Sequence, residues 1–251
     1  GWLLFRWRGR KSYKPHVPPY ASSFLPLKVG EPITDFDSLK VPPPAKEVTI
    51  SLPGCDLVFK PGEQQRLFKR KFADHEVFLA VHRFAWLPVS KVHIEPAWVV
   101  ALWNAWMADF EKIDNSWSWH PYTVAERAIN ILDFTRYHGG LPGEKTRTLA
   151  TLMSHISAIV GGLEYFGEEY TGNHLSNNGR GLYRLGLELN LKATAELGAE
   201  ILLQEAERLF LPSGVLREGS SHYHLLLARN YLDVMLVARR FGRSEQVRFE
   251  R

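Results

Sequence analysis

LATLMSHISAIVGGL, residues 149–163, places Leu149, Leu152, Met153, Ile156, Ile159, Val160 and Leu163 at i, i+3, i+4, i+7, i+10, i+11 and i+14. Side chains at these intervals share one side of a helix with 3.6 residues per turn, so the stretch reads as a long amphipathic helix that needs an apolar neighbour. Downstream, the same period predicts helices over about 175–189, 193–210 and 223–241. The last carries Leu227, Tyr231, Val234, Ala238 and Phe241 in its stripe, with Tyr223 one turn upstream on the same side. Upstream, Pro96 opens a helix bearing Trp98, Leu102, Trp106 and Phe110. Thr123 and Glu126 have the spacing of a capping box, and Gly139 with Gly140 stops the helix that follows. Helices joined by short loops pack as antiparallel hairpins, and a series of hairpins curves into a solenoid or a toroid, although no exact sequence repeat marks the units.

The character of the chain changes near residue 75. Before it, HVPPYASSFLPL and KVPPPAK are broken by proline, and EVTISL alternates Val48, Ile50 and Leu52 as a short strand would. Residues 1–74 thus read as an irregular lead-in with a short β segment, and residues 75–251 as the helical domain.

At 251 residues, with 45% hydrophobic and 23% charged content, the chain can bury a substantial core. Its one cysteine, Cys55, excludes an intrachain disulfide and a cysteine-based zinc knuckle. No apolar run approaches the ~18 residues that span a bilayer, so no transmembrane segment is expected. The first residue is Gly1 and GWLLF is too short for a signal-peptide core, which reads as a fragment or a processed chain. The net charge of +4 favours an anionic partner, whether acidic polysaccharide, nucleic acid or membrane surface. Much of that excess lies in RWRGRKSYK (Arg6 to Lys14) and KRK (Lys69 to Lys71); no nucleic-acid module accompanies them, and a solvated arm accounts for them.

Three polar constellations stand at predicted helix starts. GNHLSNNGR, residues 172–180, sets Asn173, His174, Asn177, Asn178 and Arg180 between two helices. For any one asparagine capping suffices; together, amide, imidazole and guanidinium groups offer donors to an anionic or hydroxyl-rich ligand. REGSSHYH, residues 217–224, follows the breaker LPSG, with Ser220 or Ser221 as the cap. His222 and His224 diverge on a helix and lack a third ligand nearby, so no metal site is expected. WSWHPYTVAERAIN, residues 117–130, puts Trp117, Trp119, His120 and Tyr122 before a helix on which Arg127 and Asn130 share a side. Aromatic rings beside polar groups suit sugars, while core packing is the competing role of each tryptophan.

In this order and spacing, the W…PY…ERAIN helix start, the GNHL…N…GL loop and helix, and the EGS…YH segment resemble the toroid domain of the heparinase II/III-like polysaccharide lyases, which include heparan sulfate and oligoalginate lyases. The likeness covers about residues 75–240. It implies an all-α fold, an incomplete (α/α) toroid of antiparallel hairpins, and β-elimination at a uronic acid within an anionic polysaccharide, without a cofactor. It further implies a carbon–oxygen lyase in which Asn173 and His174 hold the carboxylate and Tyr223 donates a proton to the departing O4 or also takes the C5 proton. Trp119, His120, Tyr122, Arg127, Asn177, Arg180, Glu218 and His224 are then the expected substrate contacts. The segment from Gly219 to Tyr223 is shorter than the family form. Full enzymes of the family continue into a C-terminal β-sandwich that completes the cleft; this chain contains no such all-β half, so weak polymer binding and little or no turnover are expected of it alone. The resemblance implies a periplasmic or secreted setting, with a cytoplasmic one left open. Two other readings stand beside it. One is a non-catalytic glycan-binding toroid of an exopolysaccharide pathway; the other is a toroid glycoside hydrolase, which needs two carboxylates flanking one bond, with Glu168, Glu169 and Glu218 available.

Overall fold

A computed structural model describes residues 15–89 and 94–250. The basic segment from Arg6 to Lys14 lies outside the described residues. Helices make up most of the rest, and strands are confined to one hairpin among the described residues.

The lead-in is more ordered than its prolines suggest. A 3-10 turn spans Pro19–Phe24. Strand β1 (Val48–Leu52) pairs antiparallel with β2 (Cys55–Phe59), from Val48 opposite Phe59 to Leu52 opposite Cys55. As the alternation predicts, Val48, Ile50 and Leu52 point inward, joined by Leu57 and Phe59 of β2. Helices begin with α1 (Gln64–Lys69), earlier than the change of pattern at residue 75, and continue as α2 (His75–His82) and α3 (Trp86–Val89). Of the KRK segment, Lys69 ends α1 and pairs with Asp109 at 3.1 Å. Among its described residues the lead-in has no core of its own: Ala21, Ile50 and Phe59 join the same apolar cluster as Trp103, Leu152 and Leu182.

Helix α4 (Pro96–Phe110) starts at its proline and buries Trp98, Leu102, Trp103 and Trp106, with the last two rings stacked at 5.4 Å. After a 3-10 turn at Trp117–Trp119 comes α5 (Pro121–His138). It begins two residues before the predicted cap: Pro121 occupies the first turn, His120 is the N-cap, and Thr123 is buried inside the helix with its hydroxyl unpartnered. The capping box therefore does not form. Gly139, at φ 72°, ends α5 in the left-handed conformation that favours glycine. The stretch read first becomes α6 (Lys145–Gly161), whose N-terminal amides of Thr146 and Arg147 are capped by the Glu144 carboxylate at 2.8 and 2.6 Å. Its stripe buries Leu152, Ile156 and Ile159, and Leu163 follows into the core. Then come α7 (His174–Glu188), α8 (Lys192–Leu209), α9 (Ser221–Arg240) and the short α10 (Gln246–Phe249). Ser220 caps α9, its hydroxyl accepting from the Tyr223 amide at 3.3 Å.

Contacts between helices give their directions. Helices α5 and α6 are antiparallel, since Pro121 meets Gly162 while Arg127 meets His155. Helices α7 and α8 are antiparallel and unusually close: a Cβ on Gly198 would lie 2.4 Å from the Tyr183 amide nitrogen, and one on Gly186 2.3 Å from that of Ala195. By contrast α5, α7 and α9 run parallel. Glu126, Asp133 and Arg136 of α5 pair in order with Arg180, Arg184 and Glu188 of α7, while Asp233 and Arg240 of α9 pair with Arg180, Arg184 and Glu188 in the same sense. The N-terminal ends of these three helices therefore lie at one end of the bundle. Helix α7 is enclosed by its neighbours, and its polar residues Asn178, Arg180, Arg184 and Glu188 are all buried and all partnered. Among the described residues no helix is long and apolar enough to cross a membrane.

Candidate functional site

The loop between α6 and α7 delivers a carboxylate that sequence spacing does not reveal. Glu164 is 6% exposed, yet it faces polar groups on every side. His174 Nδ1 lies 2.8 Å from its Oε1, His120 Nε2 lies 3.5 Å from the same oxygen, and Asn178 Nδ2 donates to Oε2 at 3.1 Å. The bond to Asn178 is reciprocal, because the Glu164 backbone N–H donates to Asn178 Oδ1 at 3.1 Å. Burial works to raise the Glu164 pKa, but the His174 hydrogen bond, the two imidazoles and the Asn178 amide outweigh it and hold the group below the ordinary carboxylate value. A charged carboxylate thus sits behind two histidines. His174 has 49% of its side chain exposed; His120 is more enclosed, and burial lowers its pKa, favouring the neutral ring.

Aromatic groups flank this pair. The Tyr122 ring lies 4.6 Å from that of His174 and carries the Arg83 guanidinium 4.8 Å above it. Burial pushes the Tyr122 phenol up to about 12, so it remains a neutral hydroxyl. On the other side Trp117 stacks on His120 at 5.0 Å and His75 meets Trp117 edge-on at 4.9 Å. Trp117 is 51% exposed, whereas Trp86, Trp98, Trp103, Trp106 and Trp119 are buried, so Trp117 is the sugar-sized aromatic surface among the described tryptophans.

The expected residues divide into two groups. His120, Tyr122, Asn173 and His174 gather at the N-terminal ends of α5 and α7. Asn173 occupies the N-cap position of α7, but its side chain makes no capping bond; its carbonyl accepts from the Asn177 amide and the Ser176 hydroxyl. Asn177 is buried, donates to the Tyr122 carbonyl at 3.4 Å and leaves its own Oδ1 unpartnered. Tyr223 stands 43% exposed in the first turn of α9, at the same end of the bundle. Its ring meets His222 at 5.5 Å, and no hydrogen bond joins it to the Glu164 cluster among the described residues.

The second group has structural employment. Arg127, expected to meet substrate, is 0% exposed: its Nη1 donates to the carbonyls of His82 and Ser118 at 2.9 and 2.8 Å, its Nε donates to His155 Nε2 at 2.8 Å, and its guanidinium lies 4.0 Å from the Trp106 ring. Trp119 packs beside it, its indole N–H donating to the Phe110 carbonyl. Arg180 is held between Glu126 and Asp233. His224 accepts from the Leu216 amide and packs on Phe210, which fastens the turn before α9. Glu218 is exposed within that turn, and Glu168 and Glu169 are exposed in the loop before α7. Among the described residues no group of three or more metal-binding side chains forms a site.

No family model matches this chain. Neither does a curated protein or a solved structure. The cluster comprises two imidazoles on one buried carboxylate, bordered by a neutral phenol and an open indole.

Proposed function

We propose that this chain is the toroid half of a polysaccharide lyase that cleaves uronate-containing polymers by β-elimination. One observation carries the reading: Asn173 and His174, the pair at the motif position for holding the uronate carboxylate, stand side by side at the start of α7, the amide without a capping bond and the imidazole seated on buried Glu164. The chemistry calls for such groups. Removing the C5 proton builds charge onto a carboxylate that is already ionised, and fixed donors relieve that build-up. Tyr223, on the first turn of a helix parallel to α7, would donate a proton to the departing O4. Trp117 and Tyr122 offer surfaces for neighbouring sugars. The parallel run of α5, α7 and α9 with hairpin partners suits a toroid, and α9 leaves Leu225, Leu232 and Leu236 exposed, as a helix with a further neighbour would. A hydrolase reading has less support, because Glu164 is consumed by its histidines while Glu168, Glu169 and Glu218 are scattered over exposed loops.

The test titrates the chain with alginate, heparan sulfate and neutral dextran while following ultraviolet absorbance from an unsaturated uronyl product. Binding to the two acidic polymers and not to dextran is expected, with turnover requiring the β-sandwich wall that the family resemblance implies. Equal affinity for dextran would overturn the anionic-ligand reading. Acidic-polymer binding without product, even when that wall is supplied, would convert the proposal to a glycan-binding module.

A further inference from the structure

We infer that Glu164, itself locked by Asn178, is a positioning residue that makes Nε2 of His174 the single nitrogen through which that ring exchanges a proton with the site. The inference rests on the functional reading above only for what the ring acts upon; the geometry is independent of it. An ionised carboxylate accepts and cannot donate, so the nitrogen facing it must carry a hydrogen. Glu164 Oε1 faces His174 Nδ1 at 2.8 Å, and Nδ1 therefore keeps its hydrogen whether the ring is neutral or charged. The opposite nitrogen is left to alternate. Protonated, Nε2 donates to an anionic group; deprotonated, it presents a lone pair to a donor. The same oxygen lies 3.5 Å from His120 Nε2, a longer contact that leaves that ring's tautomer unassigned.

Asn178 decides what a change at Glu164 would do. The Glu164 backbone N–H points at Asn178 Oδ1, so the amide cannot turn over without setting two donors against each other, and its Nδ2 must face position 164. A glutamine there has to give its carbonyl oxygen to Asn178. Its NH2 group then occupies the place of Oε1, facing His174 Nδ1. Two donors cannot share that contact, so neutral His174 must accept at Nδ1 and carry its hydrogen on Nε2. Glu164→Gln preserves shape and hydrogen-bond count but switches the tautomer, which removes the outward lone pair.

The experiment records long-range proton–nitrogen correlation spectra of the imidazoles in the 251-residue chain across a pH series, read at the alkaline plateau where the ring nitrogen shifts no longer change. Wild-type His174 is expected in the Nδ1–H form, and Glu164→Gln in the Nε2–H form with an unchanged circular dichroism spectrum. A merely structural role for Glu164 would not move the tautomer of a folded chain. Retention of Nδ1–H in folded Glu164→Gln overturns the inference. If that variant fails to fold, the wild-type spectrum still decides: neutral His174 with its hydrogen on Nε2 overturns it, and Nδ1–H upholds it. Tautomers as expected in a chain that binds no uronate polymer would instead refute the functional reading and leave the positioning role intact.

Discussion

The Arg127 guanidinium lies wholly inside the protein, on the first half of α5. The spacing of Arg127 from Asn130 puts both on one side of α5, but that side turns inward: Asn130 donates to the Arg83 carbonyl, and Arg127 is gripped by two carbonyls, one imidazole and two indoles, with no carboxylate paired to it among the described residues. Burial pulls the Arg127 pKa well below its ordinary value, and only the surrounding acceptors and ring faces compensate. Arg127→Lys should therefore unfold at lower denaturant concentration, by roughly 2–4 kcal/mol, because a compact ammonium cannot keep the planar bonds to His82, Ser118 and His155 together. An unchanged midpoint would show that the carbonyls bind any cation. Asn173 gives the contrasting case. Its amide makes no capping bond, so Asn173→Ala should leave the melting temperature within about 2 °C, as changes within ±0.5 kcal/mol do. In a complete, active enzyme the same change should lower turnover by about 2.7–4 kcal/mol, the worth of one donor to a developing anion. In that same complete enzyme, if the proposed elimination occurs, Tyr223→Phe should abolish the ultraviolet-absorbing product with polymer affinity nearly unchanged, since only the phenolic oxygen is lost. Glu164, the centre of the cluster, carries no sequence signal: it sits alone in a loop, and its ties to His120, His174 and Asn178 exist only after α5 and α7 have packed.

At the scale of elements, α6 to α9 are legible because apolar periodicity records burial directly; the ends of α7, α8 and α9 shift by only one or two residues, while α6 starts four residues before its apolar stripe. The start of α5 is less legible, since Pro121 at the first turn takes precedence over the Thr123–Glu126 spacing. Strand β2 escapes because Cys55 and Asp56 are both exposed and only Leu57 and Phe59 alternate as buried apolar residues. Two predictions belong here. Gly198→Ala must push α8 from α7, as the added carbon would sit 2.4 Å from a backbone nitrogen that cannot step aside; a loss of about 1–3 kcal/mol or more is expected in chemical denaturation. Asp233 joins α9 to α7 through Arg180 and Arg184; burial would raise its pKa, but the two guanidinium groups outweigh that and lower it. Asp233→Ala should cost about 3–5 kcal/mol by leaving buried Arg184 short of a counter-charge. Because Asp233 and Glu164 both titrate below their ordinary values of 3.8 and 4.5, their contribution is fully present above that range. It is lost as acid carries the pH down through the lower folded values. An acid titration by circular dichroism should find the Asp233→Ala variant less acid-sensitive relative to its own neutral stability than the wild type.

Across the whole molecule, the lead-in behaves as a strap over the helical bundle. The amides of His16, Ile33 and Leu39 donate to the carbonyls of Tyr165, Leu189 and Leu141, and the Trp98 indole donates to the Lys46 carbonyl. Sequence shows this segment as broken and irregular because such bonds are made by backbone, which leaves no pattern in side chains. If binding depends on exposed charge, raising ionic strength from about 0.01 M to 0.15 M, which shortens the Debye length from about 30 to 8 Å, should weaken alginate binding severalfold and leave any dextran binding unmoved. Equal salt dependence for both polymers would point away from an electrostatic site. The common direction of α5, α7 and α9 adds a term that no count of lysines and arginines contains. Peptide dipoles sum to about half a positive elementary charge at each helix N-terminus, so three such ends gather beside His120, Asn173 and Tyr223. These partial charges are fixed in the backbone, opposite in sign to the buried Glu164 carboxylate beside them, and substitution of surface cations would leave them in place.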